Sequence, residues 1–157
     1  METIYLCPSS RSNVKKPEEL TIGGISNDIL CLDDGIEAVS IMDMRGNMLS
    51  SATSKNSLFN KKYEVTKDIR DTAGSWAIVI FGMVQRMDEA FGKTEAVVSL
   101  HKKSKLMLVP VLSHDILVCL VMHRSSNEDY IINKIQTFLE PGYDTNNDKL
   151  NSNDISI

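Results

Sequence analysis

The stretch that decides the fold is GSWAIVIFGMVQRM, residues 74–87. Ten of the eleven residues 76–86 are uncharged, and residues 76–84 carry only apolar side chains and a glycine. Such a run reads as a membrane segment, a buried strand or a helix covered on two faces. It is too short for the first, because a bilayer-spanning helix needs about 18 or more consecutive apolar residues. The helical reading follows from the flanks. Val65, Ile69, Ala73, Trp76, Ile80, Met83, Val84, Met87, Ala90 and Phe91 recur at spacings of three and four, with Lys67, Asp68, Arg70, Asp71, Gln85, Arg86, Asp88 and Glu89 off that stripe. One helix of about seven turns, starting near Tyr63, accommodates them all. The rival is a strand over residues 77–81, favoured locally by β-branched residues, and the stripe continuing on both sides outweighs it.

A single stripe leaves a remainder. At 100° per residue, Ile78 and Phe81 project away from it, flanked on that side by Gly74, Gly82 and Gln85. Exposing two large apolar side chains forgoes roughly 1.5–3 kcal/mol each, and each mid-helix glycine costs about 1 kcal/mol relative to alanine. Both costs are offset if a second helix packs closely there. The sequence therefore predicts a helix with its main stripe on its own sheet and Gly74, Ile78, Phe81, Gly82 and Gln85 against another polypeptide. The competing reading covers that second face with the chain's own N-terminal segment or last helix.

The rest of the chain supplies the sheet. Residues 36–43 and 48–53 flank Met44-Arg45-Gly46-Asn47, a hairpin loop in which Gly46 takes a positive φ. Residues 94–101, 106–112 and 116–123 read as three more strands joined by short turns. Residues 94–101 alternate in polarity, as an edge strand does, whereas 116–122 are apolar at every position and belong in the centre. Pairing neighbours in sequence gives a five-stranded antiparallel sheet of order 2-1-5-4-3 in an α/β (α+β) domain. Pro110 marks a bulge or strand end in that scheme. SSNEDYIINKIQTFLEPG (125–142) reads as a closing helix, capped by Ser126 or Asn127 and stopped at Pro141-Gly142, with Ile131, Ile132, Ile135, Phe138 and Leu139 on one stripe. A short helix near residues 26–32 precedes the first strand. The domain is expected to span 25–140, after an N-terminal extension (1–24) and before a disordered Asn/Asp-rich tail (141–157).

Composition narrows the function. A chain of 157 residues, 42% hydrophobic and 24% charged, fits one ordinary domain. Its net charge of −4 gives no long-range attraction for nucleic acid or anionic lipid. The cysteines Cys7, Cys31 and Cys119 are odd in number and lack C-x-x-C spacing, which argues against a disulfide framework or zinc knuckle and for a cytoplasmic protein. The first residues lack the apolar core of a signal peptide. No phosphate loop, dinucleotide turn or nucleophile elbow occurs, so no catalytic residue, cofactor or metal is assigned. His101 and His123 end strands about 10 Å apart and His114 lies at the opposite edge; solvated strand-end histidines explain them better than a metal site. Asp33, Asp34 and Asp43 each precede a glycine-bearing turn, which explains them better than acid–base work. The turn His101, Lys102, Lys103 and Lys105, joined by Lys61 and Lys62, is the candidate docking point for an acidic partner.

These patterns resemble a family. GIEAVSIMDMRGNMLSSAT (35–53) is similar to the glycine-turned first hairpin of the roadblock/dynein light chain family, within the profilin-like and longin-like folds, and KLMLVPVLSHDILVCLVMH (105–123) is similar to its fourth and fifth strands. The chain differs in the Gly23-Gly24 that interrupts its first helix. The resemblance, closest to stand-alone prokaryotic members, implies a homodimer, or a heterodimer with a related light-chain-like subunit, in which two long helices lie side by side. It further implies a non-catalytic adaptor or regulator, a platform for a small Ras-like GTPase. The alternative is a PAS-like sensor holding a small molecule between sheet and helices.

Overall fold

The computed structural model describes residues 22–55 and 67–139. Expectations for the N-terminal extension, the tail, Val65, Lys61 and Lys62 lie outside those residues. In chain order the elements are α1 (Ile22–Leu30), β1 (Ile36–Asp43), β2 (Met48–Thr53), α2 (Lys67–Gln85), the single turn α3 (Asp88–Phe91), β3 (Val97–Leu100), β4 (Ser104–Val111), β5 (Ile116–His123) and α4 (Glu128–Leu139). The strands form one antiparallel sheet of order β2-β1-β5-β4-β3.

The hairpin forms for the reasons its sequence gives. Gly46 has φ 89°, and Asp43 Oδ1 accepts hydrogen bonds from the N–H groups of Arg45 and Asn47 at 2.9 and 2.8 Å. Asn47 Nδ2 also donates to Asp43 Oδ2, and these bonds, the Asn47 amide first, hold the Asp43 carboxyl below its ordinary pKa. The apolar strand β5 is central, paired with β1 on one side and β4 on the other. Two strands differ in their bounds from expectation. The β3 ladder is confined to Val97–Leu100, and β4 starts earlier, at Ser104. Pro110 sits inside β4, opposite Leu117. It is tolerated because the hydrogen bond from His101 N–H to Ser104 O makes every second pair of β3 and β4 the hydrogen-bonded one. The N–H missing at Pro110 therefore belongs on the β3 side, where the ladder has already ended at Val97–Leu108.

Helices cover the sheet from both sides. On one face α1 and α4 seal the larger core, in which Ile29, Val39, Ile41, Met107, Val109, Val118, Leu120, Met122, Ile131 and Ile135 are fully buried. The α4 stripe is as the sequence predicts, and its cap is Asn127, whose Oδ1 accepts the N–H of Tyr130 at 3.0 Å. On the other face α2 crosses the sheet over Met42 and Leu117, burying Ala77 and Phe81 there with Ile78 beside them. That reverses the expected orientation. Gly74, Ile78 and Phe81, assigned to a foreign chain, face the sheet of their own subunit, while Trp76, Ile80, Met83 and Met87, assigned to the sheet, are exposed. Small residues decide the matter. A Cβ at Gly74 would stand 3.0 Å from the carbonyl oxygen of Gly46, so the glycine lets the helix touch the hairpin turn. Gly82 and Gln85 remain exposed, and a Cβ at Gly82 would meet nothing within 4 Å.

Two further expectations are corrected. Lys105 is buried rather than offered to solvent: its Nζ donates to Ser126 O at 2.7 Å and to the Glu128 carboxylate at 2.5 Å, tying β4 to the start of α4. Its position opposite Met122 in the β4–β5 ladder puts it on the core face, which the run of basic residues in the turn hides. Cys31 is disulfide-bonded, which the cysteine spacing does not signal. Cys119 is free, and burial pushes its thiol up to about 12.

Two outcomes follow from this packing. Gly74→Ala is expected to lower unfolding free energy by roughly 1–2 kcal/mol through overpacking, and Gly82→Ala to raise it by about 1 kcal/mol through helix propensity, both read by urea denaturation. The hydrogen bond from Lys105, with the positive charge behind it, holds the Glu128 carboxyl below its ordinary pKa. A depressed acid stabilises the fold above its unfolded pKa and loses that contribution as pH falls. Glu128→Gln, which leaves Lys105 buried without its anion, should therefore be less stable than the parent near neutrality. The two stability curves should converge as pH drops below about 4.3.

Candidate interaction surface

The exposed side of α2 is the most unusual surface of the described chain. Trp76, Val79, Ile80 and Met83 fall within about 100° of the helix circumference, Met87 follows in the turn just past the helix, and all are exposed, Trp76 by 63% and Met83 by 65%. Phe91, on the following turn α3, is 79% exposed. Contiguous apolar patches of this kind mark places where something else binds, and methionine and tryptophan suit such a role because they adapt to, or anchor in, a partner surface. The stripe is visible in the sequence, but its periodicity alone directs it inward.

The stripe leads to the edge of the sheet. Asp88, which opens α3, accepts hydrogen bonds from the Thr94 N–H at 3.2 Å and from the Thr94 hydroxyl, so α3 is fastened to the segment leading into β3. Among the described residues, strand β3 pairs only with β4. Its outer backbone edge is unpaired by the sheet, and Val98 and Leu100 on it are exposed. An uncovered edge strand with apolar side chains is a template for a further strand. The opposite edge, β2, carries serines and a single exposed leucine, Leu49.

The basic turn survives in altered form. His101, Lys102 and Lys103 are exposed, Lys105 is withdrawn, and Arg124 joins them from the β5–α4 turn through a hydrogen bond from Nη1 to His101 O at 3.2 Å. Arg124 has no signal in the sequence, since it lies 23 residues from His101. The histidines have separate local partners: His101 Nε2 lies 3.0 Å from Ser99 Oγ, His114 Nδ1 lies 2.7 Å from Ser113 Oγ, and His123 Nε2 lies 3.2 Å from the buried Glu37 carboxylate. Among the described residues no three His, Cys, Asp or Glu side chains come together as a metal site. Asp33 and Asp43 hold turns, the Asp33 carboxylate accepting the Gly35 N–H at 2.8 Å. A cavity of about 40 Å³ lies between Lys93, Thr94, Glu95, Pro110, Val111, Leu112 and Gln136. Ligand pockets are roughly 300–1,000 Å³, so it lends the sensor reading no support. No described helix is long and apolar enough to cross a membrane.

No protein-family model and no curated protein sequence matches the chain. Solved structures do. A roadblock/LC7 domain from Streptomyces avermitilis superposes with a TM-score of 0.58 at 10% identity, covering 74% of this chain and 90% of that one. MglB from Myxococcus xanthus gives 0.58 at 13% identity, covering 77% and 90%. The gliding protein MglB from Thermus thermophilus gives 0.58 at 12%, covering 74% and 81%. Sheet order, helix placement and these superpositions agree that the chain has the roadblock fold.

Proposed function

We propose that this protein is a non-catalytic, dimeric adaptor or regulator whose dimer presents a platform to a protein partner, a small Ras-like GTPase being the class the fold favours. The observation that carries the reading is the exposed apolar side of α2 running to the free edge of β3. Leaving Trp76, Val79, Ile80, Met83, Met87 and Phe91 in water forgoes roughly 1.5 kcal/mol or more for each large side chain, a cost a second subunit removes. Two copies joined at β3 pair their free edges and bring their α2 helices side by side. The fold tolerates self-association: one solved structure of this kind is described as MglB with a tetrameric arrangement. The interface assigned from sequence is thereby moved around the same helix, from Gly74, Ile78 and Phe81 to Ile80, Met83 and Met87, and Gly82 and Gln85 drop out of it. The dimer leaves room for a heteromeric variant with a related light-chain-like subunit on the same surface.

Light scattering tests the dimer. The wild-type chain is expected at twice its 17.5 kDa mass, and Ile80→Asp/Met83→Asp at a single mass with unchanged helical circular dichroism, because both side chains are exposed. Phe81→Asp should unfold the chain instead of splitting it. A wild-type monomer at all accessible concentrations would sink the proposal. For the platform, purified Ras-like GTPases loaded with GDP or a GTP analogue should bind the wild-type dimer in one nucleotide state; binding indifferent to that state, or none, would remove that part of the reading.

A further inference from the structure

The charges around β3 point to a more specific arrangement, resting on the edge-to-edge dimer proposed above. The segment leading into β3 is acidic: Asp88, Glu89 and Glu95 outnumber Lys93. Asp88 is held there by its hydrogen bonds to Thr94. The far end of the same strand is basic, with Lys102 and Lys103 in the turn, His101 before them and Arg124 bonded to His101 O. Four residues of strand, about 13 Å, separate the two ends. Glu89, Glu95, Lys102 and Lys103 are exposed and make no ion pair with any described residue.

We infer that these two clusters set the register of a symmetric dimer, the acidic start of β3 in one copy facing the basic turn after β3 in the other. A two-fold axis beside the edge relates the strands antiparallel. Antiparallel pairing necessarily puts the start of each strand next to the end of its mate, so one rotation makes both contacts. A parallel arrangement would set acid on acid and base on base. The charge pattern therefore attracts in one orientation and repels in the other, which is how charge confers specificity on an interface whose apolar contacts are orientation-tolerant. The occupant of the free edge is thus a second copy of this chain, and the basic turn, read from sequence as a docking point for an acidic partner, finds that acid on its own mate.

Two variants of the full chain test this, with Asp88 left intact because it holds Thr94. The first is Glu89→Lys/Glu95→Lys, the second Lys102→Glu/Lys103→Glu. Each alone places like charges together in its own homodimer. Each should weaken self-association by about tenfold, two symmetric surface clusters contributing roughly threefold apiece. Mixed in equal amounts they should form a heterodimer of wild-type strength, since every cluster then meets its opposite, and native mass spectrometry of isotope-labelled partners reads that directly. Wild-type association should weaken as salt rises. If the wild type dimerises but each variant self-associates as tightly as it does, or the mixture shows no preference for the heterodimer, the charge register is overturned and the dimer stands. If the wild type is monomeric, the dimer itself falls.

Discussion

The contact between α2 and the β1–β2 turn governs the rest of the structure. Gly74 meets the backbone of Gly46, and Met42 reaches the same helix glycine from below. A helix brought so close to a sheet presents one narrow face to it, and here that face is Gly74, Ala77, Ile78 and Phe81. Everything else on the helix is then fixed by geometry, because residues one or two positions along are rotated away from the sheet. With nearly every side chain of residues 76–84 apolar, burying one face leaves another apolar face outside. The exposed stripe is a consequence of the close contact and of a sequence that is apolar nearly all round.

The two faces of the sheet are unequal for the same reason. On the α1 and α4 side two helices share the work, and a continuous cluster from Ile29 to Leu139 is shut off from water. On the α2 side one helix crosses the strands, covering Met42 and Leu117 but leaving Leu106 on β4 39% exposed. A domain with one closed side and one partly open side is stable through the first and available through the second. The Lys105–Glu128 pair belongs to the closed side, where a lysine buried at 9% side-chain exposure is accommodated by a carboxylate and the Ser126 carbonyl.

Most of the fold is legible in the sequence. The hairpin, the all-apolar β5, the sheet order and the stripe of α4 each rest on a local signal with one structural meaning: a glycine with positive φ, a run with no polar face, alternation, a capped amphipathic helix. What the sequence hides depends on contacts between distant residues. Lys105 looks like its neighbours Lys102 and Lys103, and only its register against Met122 shows that it points inward. Arg124 reaches the turn from the connection between β5 and α4. The disulfide at Cys31 has no motif around it in the sequence. Thr94 and Glu95 alternate as a strand would, yet the β3 ladder begins after them because Thr94 is engaged by Asp88.

The inversion of α2 is the instructive case. Counting apolar residues favours the face with more of them, and by that measure Trp76, Ile80, Met83 and Met87 outweigh Ala77 and Phe81. Counting ignores how near the helix sits. Against a sheet, a close approach requires small residues, and one large ring flanked by glycine and alanine fills the gap that Cα-to-sheet spacing leaves. Gly74 does imply a close neighbour, and that neighbour is the turn at Gly46 of the same chain, which offers the matching concavity. The larger and more flexible side chains are what a second molecule needs, since an interface must adapt to a surface it did not fold with and draws its energy from a few broad anchors. In an apolar helix whose two faces differ in side-chain size, close approach to a sheet selects the smaller-residue face and leaves the bulkier face outside.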